Sequence, residues 1–79
     1  MSIKITIYGK EDCPWTLKSK DWFEAKGITK FKLFDVTKDL NARDEMFKMT
    51  GNYTYPVIVI DGNVINGFDM HKIEKSMFM

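Results

Sequence analysis

The chain holds one cysteine and one histidine, so any sulfur chemistry it performs rests on Cys13. Pro14 follows that cysteine, and the polar run Lys10-Glu11-Asp12 precedes it. Proline is favoured at the first position of a helix, where its missing N–H is not needed, so the pattern predicts a helix beginning at the cysteine. At a helix start the unpaired backbone N–H groups point outward and the macrodipole is positive, which favours thiolate over thiol. Pro14 supplies no donor, leaving the N–H groups of Trp15 and Thr16 to face the sulfur, with the Thr16 hydroxyl as a further donor. Lys10 would lower the thiol pKa further, against the opposing charges of Glu11 and Asp12. The competing reading, a cysteine buried in a core, fits poorly between a polar loop and a proline.

Other candidate groups are weighed against plainer roles. Trp15, two residues into an exposed helix start, has little core to enter and is expected to form the wall of a cleft. Tyr8, Tyr53 and Tyr55 either line that cleft or are ordinary half-buried aromatics. His71 invites a cysteine–histidine dyad, but it has no acidic neighbour at a triad spacing, and a surface role is expected. Zinc needs about four ligands, so with one cysteine and one histidine no metal is expected.

The elements that must position Cys13 are legible around it. Ile3, Ile5 and Ile7 alternate with Lys4, Thr6 and Tyr8, the period of a strand with one apolar face, which runs to about Tyr8. A helix follows over roughly Pro14 to Lys26, with Ser19, Trp22, Phe23 and Lys26 at helical spacing and Gly27 closing it. Phe31, Leu33, Phe34 and Val36 make a second strand. Asp39 or Asn41 then caps a helix that holds Met46 and Phe47 and ends at Gly51. Strand–helix–strand order implies a parallel pair joined by a right-handed crossover. Val57-Ile58-Val59-Ile60 reads as a strand buried on both faces, and Asp61-Gly62 signals a tight hairpin returning through Val64 and Ile65. Met70, Ile73 and Met77 form the apolar stripe of a last helix. Lys4 and Thr6 sit awkwardly on a strand expected to be central, unless their aliphatic parts lie near the rim of the sheet.

Bulk properties agree with one small α/β domain over residues 1–79, since a chain of 79 residues has material for a single core. A content of 44% hydrophobic and 29% charged residues is globular rather than disordered. The net charge of +1 argues against nucleic acid or an anionic membrane as the main partner. No apolar run approaches the roughly 18 residues of a membrane helix, and the first residues lack the pattern of a signal peptide. A secreted domain this small usually needs several disulfides, so a single cysteine points to a reducing, cytoplasmic setting. A monomer is expected.

Three motifs in this order resemble the glutaredoxin family of the thioredoxin-fold superfamily. Lys10-Glu11-Asp12-Cys13-Pro14-Trp15-Thr16 is similar to the family's Lys-x-x-Cys-Pro-Tyr-Cys segment. Thr54-Tyr55-Pro56 is similar to its Thr-Val-Pro loop, which carries a cis-proline facing the active cysteine, and Asn66-Gly67-Phe68-Asp69 to its Gly-Gly-x-Asp turn. The resemblance implies a thioredoxin-like fold, a four-stranded mixed sheet with three helices in the order β-α-β-α-β-β-α. It also implies glutathione as co-substrate. By this likeness the site comprises Cys13 with Pro14, Trp15 and Thr16, and a glutathione cleft formed by Lys10, Trp15, Tyr55, Pro56, Gly67, Phe68 and Asp69. The Tyr55 backbone would pair with glutathione as an added strand, and the N–H groups of Phe68 and Asp69 would receive the γ-glutamyl carboxylate. The Asp69 side chain would accept from the amino group, while Lys10 would meet the glycine carboxylate. Asn52 stands where some members place a basic residue, for which Lys48 is the substitute. Residue by residue the plainer readings stand: Pro56 starts a strand, Asp69 caps a helix and Lys10 is a solvated lysine.

Thr16 occupies the place of the second cysteine of dithiol members, so no internal disulfide can form. What the resemblance then implies is a monothiol thiol–disulfide oxidoreductase acting on glutathionylated small molecules or proteins. Two alternatives stay open. Some monothiol relatives carry an iron–sulfur cluster between two subunits, although Pro14 and Trp15 would crowd it. A redox-inactive adaptor is the other, with ribonucleotide reductase as the partner that small relatives suggest.

Overall fold

The computed structural model describes residues 3–78. In chain order the elements are β1 (Ile5–Gly9), α1 (Pro14–Ala25), β2 (Lys32–Asp35), α2 (Leu40–Thr50), β3 (Val57–Ile60), β4 (Asn63–Asn66) and α3 (Met70–Phe78). The four strands form one mixed sheet in the order β2-β1-β3-β4. β1 runs parallel to β2, with Ile7 beside Leu33, and antiparallel to β3, with Ile7 beside Ile58. β3 and β4 close the sheet as a hairpin. The expected thioredoxin-like order of elements is the one observed.

Each element has a local cause. Pro14 opens α1, whose buried positions Thr16, Ser19 and Phe23 recur at helical spacing, and Ser19 donates its hydroxyl to the Trp15 carbonyl at 2.9 Å. The helix ends one residue earlier than expected, because the Lys26 N–H is shared between the Trp22 and Phe23 carbonyls. Of the two possible caps of α2 it is Asp39 that serves, accepting from the Ala42 N–H at 3.1 Å, and Gly51 closes the helix. At the hairpin Asp61 (φ 48°) and Gly62 (φ 86°) are both left-handed, the conformation a two-residue turn between twisted strands demands. β1 starts at Ile5 rather than Ile3 because its neighbours begin pairing only at Ile5 and Thr6. Beyond that point Lys4 is held by the turn: its N–H donates to the Asp61 carboxylate and its carbonyl accepts the Asp61 N–H, both at 2.9 Å. β2 is shorter than expected, since Phe31 and Val36 fall just outside it.

Side chains of the sheet divide by strand alternation into two cores. Ile5, Ile7, Ile58, Ile60 and Ile65 point to the side of α1 and α3, where they meet Phe23, Ile73 and Met77. Each fully buried side chain of this size contributes about 1.5–3 kcal/mol by leaving water. Tyr8 and Val57 point the other way and pack with Val36, Ala42 and Met46 under α2. Met70, expected in the α3 stripe, is exposed: it is the first residue of the helix and lies outside the cluster built by Ile73 and Met77. The polar face of β1 is accommodated by incomplete cover, since α2 shields Tyr8 and leaves Lys4 exposed and Thr6 half-buried. Tyr8 therefore belongs to the α2 core rather than to the cleft expected beside Cys13; its hydroxyl donates to Glu45 at 3.0 Å and its pKa is pushed up to about 12 by burial and then by that carboxylate.

Candidate active site

Cys13 is the N-cap of α1 in extended conformation (φ −75°, ψ 125°), half-buried and unpaired as a thiol. Its carbonyl accepts from the Leu17 N–H at 2.9 Å, and its own N–H donates to the Lys10 carbonyl at 3.0 Å, so a turn delivers the chain into the helix. The thiol pKa is lowered, first by the backbone N–H of Thr16, then by that of Trp15 and by the Thr16 hydroxyl; partial desolvation and the Asp12 carboxylate push the other way. The donors are those the helix start predicts. Lys10 is not among the causes: its ammonium lies 3.5 Å from the Asp12 carboxylate, where an ion pair spends its charge locally.

Thr16 is 1% exposed, packed under the thiol against the end of β1. Its Oγ1 accepts from the Lys10 N–H at 3.3 Å while its hydroxyl serves the sulfur. This seat exists because residue 9 has no side chain: a Cβ on Gly9 would stand 2.4 Å from the Thr16 Oγ1 and 2.7 Å from its Cγ2. The loop before Cys13 is also tied to the end of β2. Asp35 accepts from the Glu11 N–H at 3.2 Å and from the N–H and hydroxyl of Thr37, and Lys38 pairs with Glu11 at 3.3 Å. The Thr37 hydroxyl, followed by the Glu11 and Thr37 N–H groups and Lys38, lowers the Asp35 pKa, with slight desolvation opposing.

Beside the nucleophile helix lies a cleft of about 260 Å³ lined by Trp15, Tyr55, Pro56, Gly67 and Phe68, which brings together five of the residues singled out in the sequence. Trp15 is 53% exposed, with the Phe68 ring 6.3 Å away on one side and the Lys18 ammonium 4.6 Å from its own ring. The Tyr55–Pro56 bond is cis, Pro56 is buried, and its carbonyl accepts the Gly67 N–H at 2.8 Å, joining the two loops that form the cleft floor. Asp69 caps α3 by accepting from the Lys72 N–H at 3.2 Å, so its plainer role is real and engages one carboxylate oxygen. Asn52 is occupied in shaping the 52–54 turn, where its side-chain oxygen accepts from the Thr54 N–H. Lys48 is exposed on α2, and His71 is exposed on α3 and takes no part in the hydrogen bonding of Cys13.

One candidate escaped the sequence reading. Arg43, the only arginine of the chain, stacks its guanidinium on Tyr53 at 4.4 Å, and Tyr53 in turn stacks on Phe47 at 4.6 Å. Together with Val36, Thr37, Met46, Tyr53 and Tyr55 it lines a second cavity of about 310 Å³, which shares Tyr55 with the cleft. The one available signal was compositional, a lone arginine among eleven lysines. Among the described residues no group of three or more His, Cys, Asp or Glu side chains is placed to hold a metal ion.

The family model of glutaredoxin matches residues 5–65, from the first strand through the hairpin. The chain belongs to the glutaredoxin family. An uncharacterised glutaredoxin-like 8.6 kDa protein in the rubredoxin operon of Clostridium pasteurianum is 39% identical over 71 residues, covering 90% of this chain and 93% of that one. Glutaredoxin 3 of Escherichia coli is 35% identical over 65 residues, covering 82% and 77%. Among solved structures the glutaredoxin-like protein NrdH-redoxin from Escherichia coli, described by its thioredoxin-like activity profile, superposes with a TM-score of 0.76 at 26% identity and covers 91% of this chain and 92% of its own. This glutaredoxin is accordingly a thioredoxin-fold redox protein, a thiol oxidoreductase in the general sense, and its one thiol is Cys13.

Proposed function

We propose that this glutaredoxin is a glutathione-dependent, monothiol thiol–disulfide oxidoreductase. The observation that carries the reading is the pairing of a single activated thiol, Cys13, with a buried threonine where a resolving cysteine would stand. Cys13 thiolate attacks the glutathione sulfur of a mixed disulfide; the disulfide bond breaks and the substrate thiolate leaves to take a proton from water. The resulting Cys13–glutathione disulfide is attacked by a second glutathione thiolate, which releases glutathione disulfide and restores Cys13. The balance is one mixed disulfide and one glutathione consumed, one substrate thiol and one glutathione disulfide formed.

Glutathione lies in this reading along the Trp15–Tyr55–Pro56–Gly67–Phe68 cleft, with its backbone paired to Tyr55 and its γ-glutamyl carboxylate on the N–H groups of Phe68 and Asp69. Arg43 supplies the second cation for the glycine carboxylate, in place of Lys48 and beside Lys10, because its cavity shares Tyr55 with the cleft. The substrates are glutathionylated small molecules or proteins. The protein should turn over a small glutathione mixed disulfide in excess glutathione and lose that activity on Cys13→Ser. Absence of turnover at every glutathione concentration overturns the reading.

A second reading is supported by the likeness to NrdH-redoxin and by Lys10 and Asp69 already having partners of their own. Here the cleft receives a partner protein instead of glutathione, and the chain acts as a redox-inactive adaptor for a partner such as ribonucleotide reductase. Binding to that partner which survives Cys13→Ser, without glutathione turnover, selects it.

A further inference from the structure

Strand alternation brings a second group of side chains together on the face of the sheet opposite α1 and α3. Thr6 pairs with Lys32 and Tyr8 with Phe34, so Lys4, Thr6 and Tyr8 of one strand line the same face as Lys32 and Phe34 of the next. α2 covers only the Tyr8 end of this face, since its buried residues are Ala42 and Met46 alone. What remains is a groove of about 750 Å³ whose lining includes Ile3, Lys4, Thr6, Lys30, Lys32 and Phe34. Its volume falls within the range typical of small-molecule sites.

The groove is polarised. Lys4, Lys30 and Lys32 line it toward the start of β1, and none is among the ion pairs of the described residues, which are Lys10–Asp12, Lys20–Glu24 and Lys38–Glu11. Thr6 lies level with Lys32, and two residues further along the strands the Phe34 ring stacks on Tyr8 at 5.6 Å. At the inner end the single carboxylate of the lining, Glu45, already accepts the Tyr8 hydroxyl. A cationic rim on an apolar floor matches a molecule with an anionic head and an apolar body, and repels the opposite arrangement.

We infer that this groove is a binding site for a small amphipathic carboxylate, its head held by Lys4, Lys30 and Lys32 and its apolar chain laid over Thr6 and Phe34 toward Tyr8. The site stands at the end of β1 opposite Cys13 and does not depend on the redox reading. Decanoate titrated into the ¹⁵N-labelled full chain should shift the amide resonances of Lys4, Thr6, Lys32 and Phe34, and do so equally in Cys13→Ser. Reversing two exposed charges, Lys4→Glu with Lys32→Glu, should weaken binding by roughly tenfold, the sum expected of two surface ion pairs. Decanol should bind more weakly than decanoate, and decyltrimethylammonium should not compete with it. Shifts elsewhere or none at millimolar decanoate, or decanol binding as well as decanoate, would overturn the assignment. So would an acidic peptide that moves these amides when decanoate does not, since the face would then belong to a protein partner.

Discussion

On the α1–α3 side of the sheet five isoleucines meet Phe23, Ile73 and Met77 in a closed apolar layer, whereas on the α2 side Tyr8, Val36, Ala42, Met46 and Val57 form a smaller cluster beside an open groove. Both faces belong to the same four strands, so the difference comes from the helices. α1 and α3 contribute large side chains at helical spacing, while α2 buries only an alanine and a methionine. The closed face is therefore the main source of stability, and the α2 face is where polar groups and cavities are tolerated. Cys13 caps α1, the helix anchored in the closed core through Phe23, and the cleft beside it is walled by two loops joined to each other by the bond from the Gly67 N–H to the Pro56 carbonyl.

The sharpest way to break this contrast is to truncate one ring on each face. Phe23 is 0% exposed in the closed core, and Phe23→Ala should cost about 3–5 kcal/mol, a large share of the roughly 5–15 kcal/mol that stabilises a domain. Phe34 borders the groove half-buried, and Phe34→Ala should cost well under half as much because its site already opens to water. Urea unfolding of both variants gives the comparison directly. Equal losses would show that the α2 face carries as much of the stability as its partner.

The junction between the faces and the site is tested at Gly9. A methyl group there must displace Thr16, which is buried and cannot swing aside, so Gly9→Ala should destabilise by about 1–3 kcal/mol. Thr16→Ala removes the two atoms that the new Cβ would strike first. The double variant should recover much of the Gly9→Ala loss, giving a non-zero coupling in a double-mutant cycle. Additive losses would mean that Gly9 is constrained by something other than Thr16.

Which of these features the sequence announces follows from how local their physics is. Cys13-Pro14, the Asp61-Gly62 turn and the apolar runs of β1 and β3 speak through neighbours or through a fixed period, and they are where expected. Trp15 is marked by its place at an exposed helix start and Tyr55 only as one of three tyrosines, while Pro56, Gly67 and Phe68 stand out through the family motifs alone, since these residues meet across separations no period describes. The Thr16–Gly9 contact, the Asp35 bond to the Glu11 N–H and the stacking of Arg43 on Tyr53 arise from crossings of separate elements, and nothing in the local pattern marks them. Lys10 shows the converse: its charge looked available to the thiol until the loop folded Asp12 onto it. The polar alternation of β1, an awkward feature in the chain, is the trace of a face that α2 leaves open.

The smallest expected effect bears most directly on the chemistry. Thr16→Val keeps the shape of the side chain and deletes its hydroxyl, which accepts from the Lys10 N–H and donates to the Cys13 sulfur. Losing the first bond should lower stability by about 1 kcal/mol. Losing the second should raise the Cys13 pKa part of the way toward its ordinary value of about 8.5, because the Thr16 and Trp15 N–H groups remain and the first of these is the larger cause. The sign of the linkage is fixed by the depressed pKa. Stabilisation by the thiolate is complete above the ordinary thiol value and is lost as pH falls through the lower folded-state value. Iodoacetamide alkylation should therefore rise with pH through a midpoint below that of a free cysteine, and Thr16→Val should move this midpoint upward while leaving the plateau rate nearly unchanged. An unmoved midpoint would assign the whole activation to the backbone N–H groups of α1. A wild-type midpoint at or above the ordinary value would remove the physical basis for a nucleophile at this helix start, however well the closed core holds the helix in place.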